Sequence, residues 1–160
     1  MMRTIGAALL LLGAAYICRL YAAYSRRRLA DGERFVRFLT FVKRELTCFS
    51  RPFSEWKHDF PAEDSSDADF AAALAASGDM SEFCRYLRGM SLSPALLRVS
   101  DTLSHTFGRD YRDGEISLIE TCLSEAAAAV ASERESAPRT ERVVHTVTLS
   151  AAVGLLLLFW

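Results

Sequence analysis

The run TIGAALLLLGAAYIC, residues 4–18, contains fifteen residues and no charge. Wound as a helix it is about 22 Å long, short of a hydrocarbon core of about 30 Å. Arg19 interrupts the run and LYAAY, residues 20–24, resumes it. An arginine near a helix end reaches toward the headgroups, and Tyr16, Tyr21 and Tyr24 suit the interfacial region. Residues 4–24 are therefore predicted to form one transmembrane helix, with its charged end at residues 19–28. The competing reading is a secretory signal peptide, with Arg3 as the positive start and Gly13-Ala14-Ala15 as a cleavage site. Against it, the apolar stretch continues past that site and Arg26, Arg27 and Arg28 follow, a cluster that resists translocation.

The opposite end repeats the pattern. VVHTVTLSAAVGLLLLFW, residues 143–160, makes about 27 Å of helix, enough for a thin bilayer with Trp160 at the far interface. A buried helix of a soluble bundle usually carries a polar stripe, and residues 151–160 have none. The basic residues lie on the inner side of both segments: Arg26, Arg27, Arg28, Arg34 and Arg37 after the first, Arg134, Arg139 and Arg142 before the second. That bias places the middle of the chain in the cytoplasm and both termini outside the cell membrane. The same bias argues against a lipid-anchored surface protein made from a signal peptide and a cleaved tail. The expected organisation is an anchor at 1–24, a cytoplasmic region at 25–142 and a second transmembrane helix at 143–160.

The middle region reads as all-α. Phe35, Phe38, Leu39, Val42, Leu46 and Phe49 recur at helical spacing among charged residues. Pro52 ends that helix or opens the next, and PAEDSSDAD, residues 61–69, reads as an acidic loop. A short alanine-rich helix at 69–76 closes at Gly78. Asp79 and Glu82 are spaced as an N-cap and its partner, for a helix to about Arg88, and Gly89 stops it. Ser93-Pro94 starts the next helix, lined by Leu96, Val99, Leu103 and Phe107 and ended by Gly108. Asp113 is expected to cap the last, whose seam is Ile116, Ile119, Leu123, Ala126 or Ala127, and Val130. Pro138 marks the joint to the second apolar segment. No period-two run reaches strand length, so an antiparallel helical bundle is expected.

Composition excludes several classes. A net charge of −1 rules out a globally basic nucleic-acid binder, and four scattered cysteines cannot build a disulfide framework. Charge is segregated: residues 19–57 hold ten basic and four acidic side chains, residues 58–135 six and fifteen. The basic part suits an anionic membrane surface. No Cys-x-x-Cys pair suggests a metal or redox centre, and no glycine-rich phosphate loop suggests nucleotide hydrolysis. His105 and Asp101 are one turn apart, so a hydrogen bond is possible, but no motif supplies a nucleophile. The chain is expected to be no enzyme, with no cofactor, metal or small-molecule substrate.

The order of these segments resembles stage III sporulation protein AB of endospore-forming bacteria. TIGAALLLLGAAYICRLYAAYSRRR is similar to that family's anchor. FLTFVKRELTCFSRPFSEW is similar to its first cytoplasmic helix, with Glu45, Pro52 and Glu55 at the matching positions. FGRDYRDGEISLIETCLSEA is similar to its last turn and long helix, with Gly108 and Arg112 matching. Phe107 stands where leucine is usual, Glu115 where glutamine is usual, and Cys48 and Phe49 around the usual tyrosine–glycine pair. The resemblance implies a subunit of the channel between mother cell and forespore, in the mother-cell membrane around the forespore. Its helical domain would resemble the platform proteins of type II secretion, docking a secretion-type ATPase and meeting other stage III A proteins. An acidic surface centred on the helices at 79–88 and 113–135, with Glu120, Glu125 and Glu133 its residues to test, is the expected docking face. The alternative is a membrane-anchored regulatory binding protein.

Overall fold

The computed structural model describes residues 2–49, 51–109 and 112–159, with the backbone alone at residues 2–5, 7, 8, 156, 158 and 159. Every regular element among the described residues is helical. They are α1 (Met2–Arg44), a π-helical turn (Glu45–Phe49), α2 (Phe53–Trp56), α3 (Ser65–Ala76), α4 (Met80–Leu87), α5 (Pro94–Thr106) and α6 (Arg112–Phe159). The chain divides into two compact units, Arg28–Ala131 and the pair Met1–Arg27 with Ser132–Trp160.

The first unit is the helical bundle. Its core holds Phe35, Phe38, Leu39, Val42 and Leu46 from α1 and the π turn, Trp56 from α2, and Phe70 and Leu74 from α3. Phe83 and Leu87 of α4, Leu96, Val99 and Leu103 of α5, and Ile119, Cys122 and Ala126 of α6 complete it. Phe38 is its centre, with ring centroids at 4.9 Å from Phe83, 5.7 Å from Phe70, 6.2 Å from Phe60 and 6.4 Å from Phe35. The contact to Phe35 is stacked and the others are tilted or edge-on, arrangements that add to area burial. Gly32 lets α1 approach its neighbours closely: a Cβ there would meet Leu96 Cδ1 and Val130 Cγ2, each at 3.1 Å.

Helix starts follow local chemistry. Asp79 accepts from the Glu82 N–H at 2.7 Å, and the Glu82 carboxylate reaches back to the Gly78 N–H at 2.7 Å. Ser93 caps α5 through the Leu96 N–H at 3.3 Å, with Pro94 in the first turn. Two starts and one joint differ from expectation. α3 begins at Ser65, inside the segment read as an acidic loop, because Asp64 caps it through the Asp67 N–H at 2.7 Å. Its first-turn acid suits the positive end of the helix dipole. Asp113 lies within the first turn of α6, not ahead of it. Pro138, read as a joint, sits inside α6, which runs on through it.

The second unit has an inverted packing pattern. Among the described residues its buried side chains are small: Ala14 is 7% exposed, and Cys18, Ala22 and Ala152 are comparable. Its large apolar side chains face outward, Leu12 at 67% and Leu157 at 77% exposure, with Leu9, Tyr16, Ile17, Leu20, Val143, Val147 and Val153 also exposed. Among the described residues no helix is long and apolar enough to cross a membrane. Trp160 and the outermost side chains of both apolar segments lie outside the described residues.

Candidate functional site

Of the five positions picked out by resemblance, Glu45 and Arg112 meet at a π turn, Pro52 and Gly108 border a cleft, and Glu55 lies outside both. Glu45 opens the π turn, where five residues make the wider winding. A π turn interrupts the regular ladder and often marks a functional position. Here two carbonyls of the turn are taken up by a distant side chain: Arg112 Nη2 donates to Leu46 O at 3.1 Å and to Thr47 O at 3.0 Å, and its Nε to Leu46 O at 3.3 Å. The Glu45 carboxylate is fully buried and accepts from the Arg51 guanidinium, whose Nη1 also donates to Asp59 at 2.8 Å. The Arg51 guanidinium lies over the Phe49 ring at 5.3 Å. Pro52 then caps α2 with an extended backbone.

Pro52 and Gly108 border one cleft of about 570 Å³. Phe53, Ser54, Asp79, Met80, Ser81, Ser104, His105, Phe107 and Arg109 join them around it. Gly108 holds a φ of +79°, a conformation that favours glycine, and its N–H donates to Glu115 at 3.0 Å. Glu45 and Arg112 thus fix the turn, while Pro52 and Gly108 shape the cleft beside it. Glu55 is exposed on α2 and does not line that cleft. The cleft mixes hydroxyls, an imidazole, a guanidinium and aromatic rings, which suits a polypeptide loop with both polar and apolar side chains.

A second cluster, which the sequence did not disclose, joins α1 to α3. The Asp67 carboxylate is buried and accepts from Arg34 Nε at 2.6 Å and Arg37 Nη2 at 2.8 Å. Arg34 also donates to Asp31 at 2.7 Å, and Asp31 accepts the Ser91 N–H at 3.1 Å. Burial alone would raise the Asp67 carboxyl, but the Arg34 hydrogen bond, the Glu63 N–H and the two guanidinium charges hold it below its ordinary value. Burial likewise works against the charged Arg34, and Asp67 and Asp31 outweigh it, raising its pKa. The signal that could have found this cluster is Arg34 one turn before Phe38, on the face that the apolar periodicity buries.

The expected acidic face is distributed along α6. Glu120 pairs with Lys43 at 2.9 Å. Glu125 is exposed and Glu133 half-buried. The acids of α4 are engaged in capping. Asp101 pairs with Arg88 at 2.8 Å, and among the described residues no hydrogen bond joins it to His105. Burial pushes the Cys84 and Cys122 thiols up to about 11 each, which leaves them as protonated, unreactive packing groups. Cys18 is buried and Cys48 exposed. Among the described residues no group of three or more His, Cys, Asp or Glu could hold a metal ion. No protein-family model, curated protein or solved structure matches the chain.

Proposed function

We propose that this chain is a membrane-seated platform subunit without catalytic activity of its own, whose helical bundle docks a cytoplasmic protein. The carrying observation is the inverted unit, with small residues inside and Leu12, Tyr16, Val147 and Leu157 outside. In water that arrangement exposes apolar area that folding normally hides. In lipid it is the ordinary one, because small residues let helices approach while large ones meet acyl chains. The basic residues 26–28 and Arg134, Arg139 and Arg142 then lie at the cytoplasmic margin. Snorkelling of Arg19 and local thinning would accommodate the short apolar segments. The resemblance to stage III sporulation protein AB supplies the candidate partners, a secretion-type ATPase and other stage III A proteins, at the mother-cell membrane.

Two measurements test the reading. Leu12→Asp is expected to cost about 2.5–3.5 kcal/mol of membrane insertion, moving the chain from the alkaline-carbonate pellet to the supernatant. If the unit stands in water, a substitution at so exposed a position stays within about 0.5 kcal/mol and the distribution does not change. For docking, Glu120→Lys, Glu125→Lys and Glu133→Lys together are expected to lower capture of the ATPase at least tenfold while helicity is kept. Breaking the exposed Lys43–Glu120 pair alone has little energetic effect. Undiminished capture by the folded triple variant would remove the acidic face from the account.

A further inference from the structure

Within the two-helix unit lies a groove of about 410 Å³. One wall comes from α1, through Leu11, Ala14, Ala15, Cys18, Arg19, Ala22 and Arg26; the other comes from α6, through Glu141, His145 and Leu149. The spacings make continuous rails: Ala15, Arg19, Ala22 and Arg26 recur at four, three and four residues, and Glu141, His145 and Leu149 at four. The walls change character along their length. Arg26, Glu141 and His145 belong to the halves nearer the bundle in sequence, and Leu11 and Leu149 to the halves nearer the termini.

Charge in the groove is unbalanced. Glu141 Oε1 lies 4.0 Å from His145 Nε2, an ion pair only while the imidazole is protonated, so two guanidinium groups face one carboxylate in the groove. Neither Arg19 nor Arg26 has a carboxylate partner among the described residues. Two unanswered guanidinium groups beside an alanine-lined channel call for an anion that carries its own apolar tail. From Arg26 to Leu11 is fifteen residues, about 22 Å along a helix. One leaflet, headgroup included, is half of about 40–45 Å. The groove therefore has both the polarity gradient and the length of one lipid molecule.

We propose that this groove is a binding site for an anionic phospholipid, with the phosphate held by Arg19 and Arg26 and an acyl chain along Ala14, Ala15, Leu11 and Leu149. The site rests on the membrane reading given above. Bound lipid would fill the space that the small residues leave and neutralise the groove.

The test uses the full-length chain in detergent, observed by native mass spectrometry with phosphatidylglycerol, phosphatidylcholine of the same acyl chains, or inorganic phosphate. Phosphatidylglycerol is expected to be retained at least tenfold over phosphatidylcholine, and inorganic phosphate not to compete. Arg19→Gln with Arg26→Gln should abolish that preference; Arg27→Gln with Arg142→Gln, equal in charge but outside the groove, should change it less than twofold. Ala15→Trp fills the channel without altering any charge and should also release the lipid; Leu149→Trp serves if the first variant loses helicity. Equal loss in both arginine pairs, retention by the tryptophan variants, or displacement by inorganic phosphate overturns the site. Carbonate extraction separates the two failures. A chain that stays in the pellet without lipid preference loses only this site. One that washes off loses the membrane reading and the site together.

Discussion

Replacing Asp67 with alanine is expected to lower the unfolding free energy by about 3–5 kcal/mol, the usual result of taking one partner from a buried charge pair. The loss falls toward the lower end because Arg34 keeps its bond to Asp31 at 2.7 Å. Arg37 keeps Glu63 at 2.7 Å. Chemical denaturation followed by circular dichroism measures it. The acid limb supplies an independent check. The Asp67 pKa is depressed in the folded chain, so its contribution is present above the ordinary carboxylate value and is lost as pH falls through the folded value. The parent should lose stability below about pH 4 more steeply than Asp67→Asn, which has no proton to take up at that position. Parallel acid limbs would show that the carboxylate is not specially held.

This cluster marks where sequence reading stops. Asp79 with Glu82, and Ser93 with Pro94, announced their helices because each cap is a bargain among neighbours three or four residues apart. Asp64 uses the same chemistry, yet PAEDSSDAD has no apolar periodicity to draw attention to it. What orders that first turn comes from Arg34 and Arg37, about thirty residues away. The same limit hid the engagement of Arg112 with Leu46 and Thr47, contacts across 66 and 65 residues. Resemblance named Glu45, Pro52, Gly108 and Arg112 without saying that they share a turn and a cleft. Pro138 failed in the opposite sense. It removes a hydrogen bond to the carbonyl four residues earlier, and α6 nevertheless continues.

The two units show why composition averages mislead. In the bundle, large side chains are inside: Trp56, Phe35, Phe38, Phe70 and Phe83 are fully buried. In the two-helix unit, small ones are inside and leucines outside. A chain-wide apolar fraction of 51% describes neither. The sequence revealed the difference only through the distribution of charge along the chain, with arginines gathered beside each apolar run. The same logic makes the groove visible only in three dimensions. Arg19 looked like a defect in a hydrophobic run until α6 supplied the opposite wall.

Phe38→Ala is expected to cost about 3–5 kcal/mol, whereas Phe49→Ala should stay within about 0.5 kcal/mol of the parent, the range of ordinary exposed positions. By periodicity alone the two belong to one seam, with Phe35, Leu39, Val42 and Leu46 between and beside them. The π turn separates them. Its five residues wind more widely than an α-helical turn, so the register that buries Leu46 no longer returns to the core three residues later. Phe49 is left 56% exposed. Phe38 sits before the change, among four other rings, and its removal leaves a void that Phe60, Phe70 and Phe83 close only in part. Arg112→Met supplies the connecting test. If Arg112 keeps the wider turn by donating to its carbonyl oxygens, its loss should let α1 rewind. The amide exchange of residues 45–49 should then change more than that of residues 35–42. Uniform change along α1 would mean that Arg112 stabilises the bundle generally and leaves the turn to other contacts.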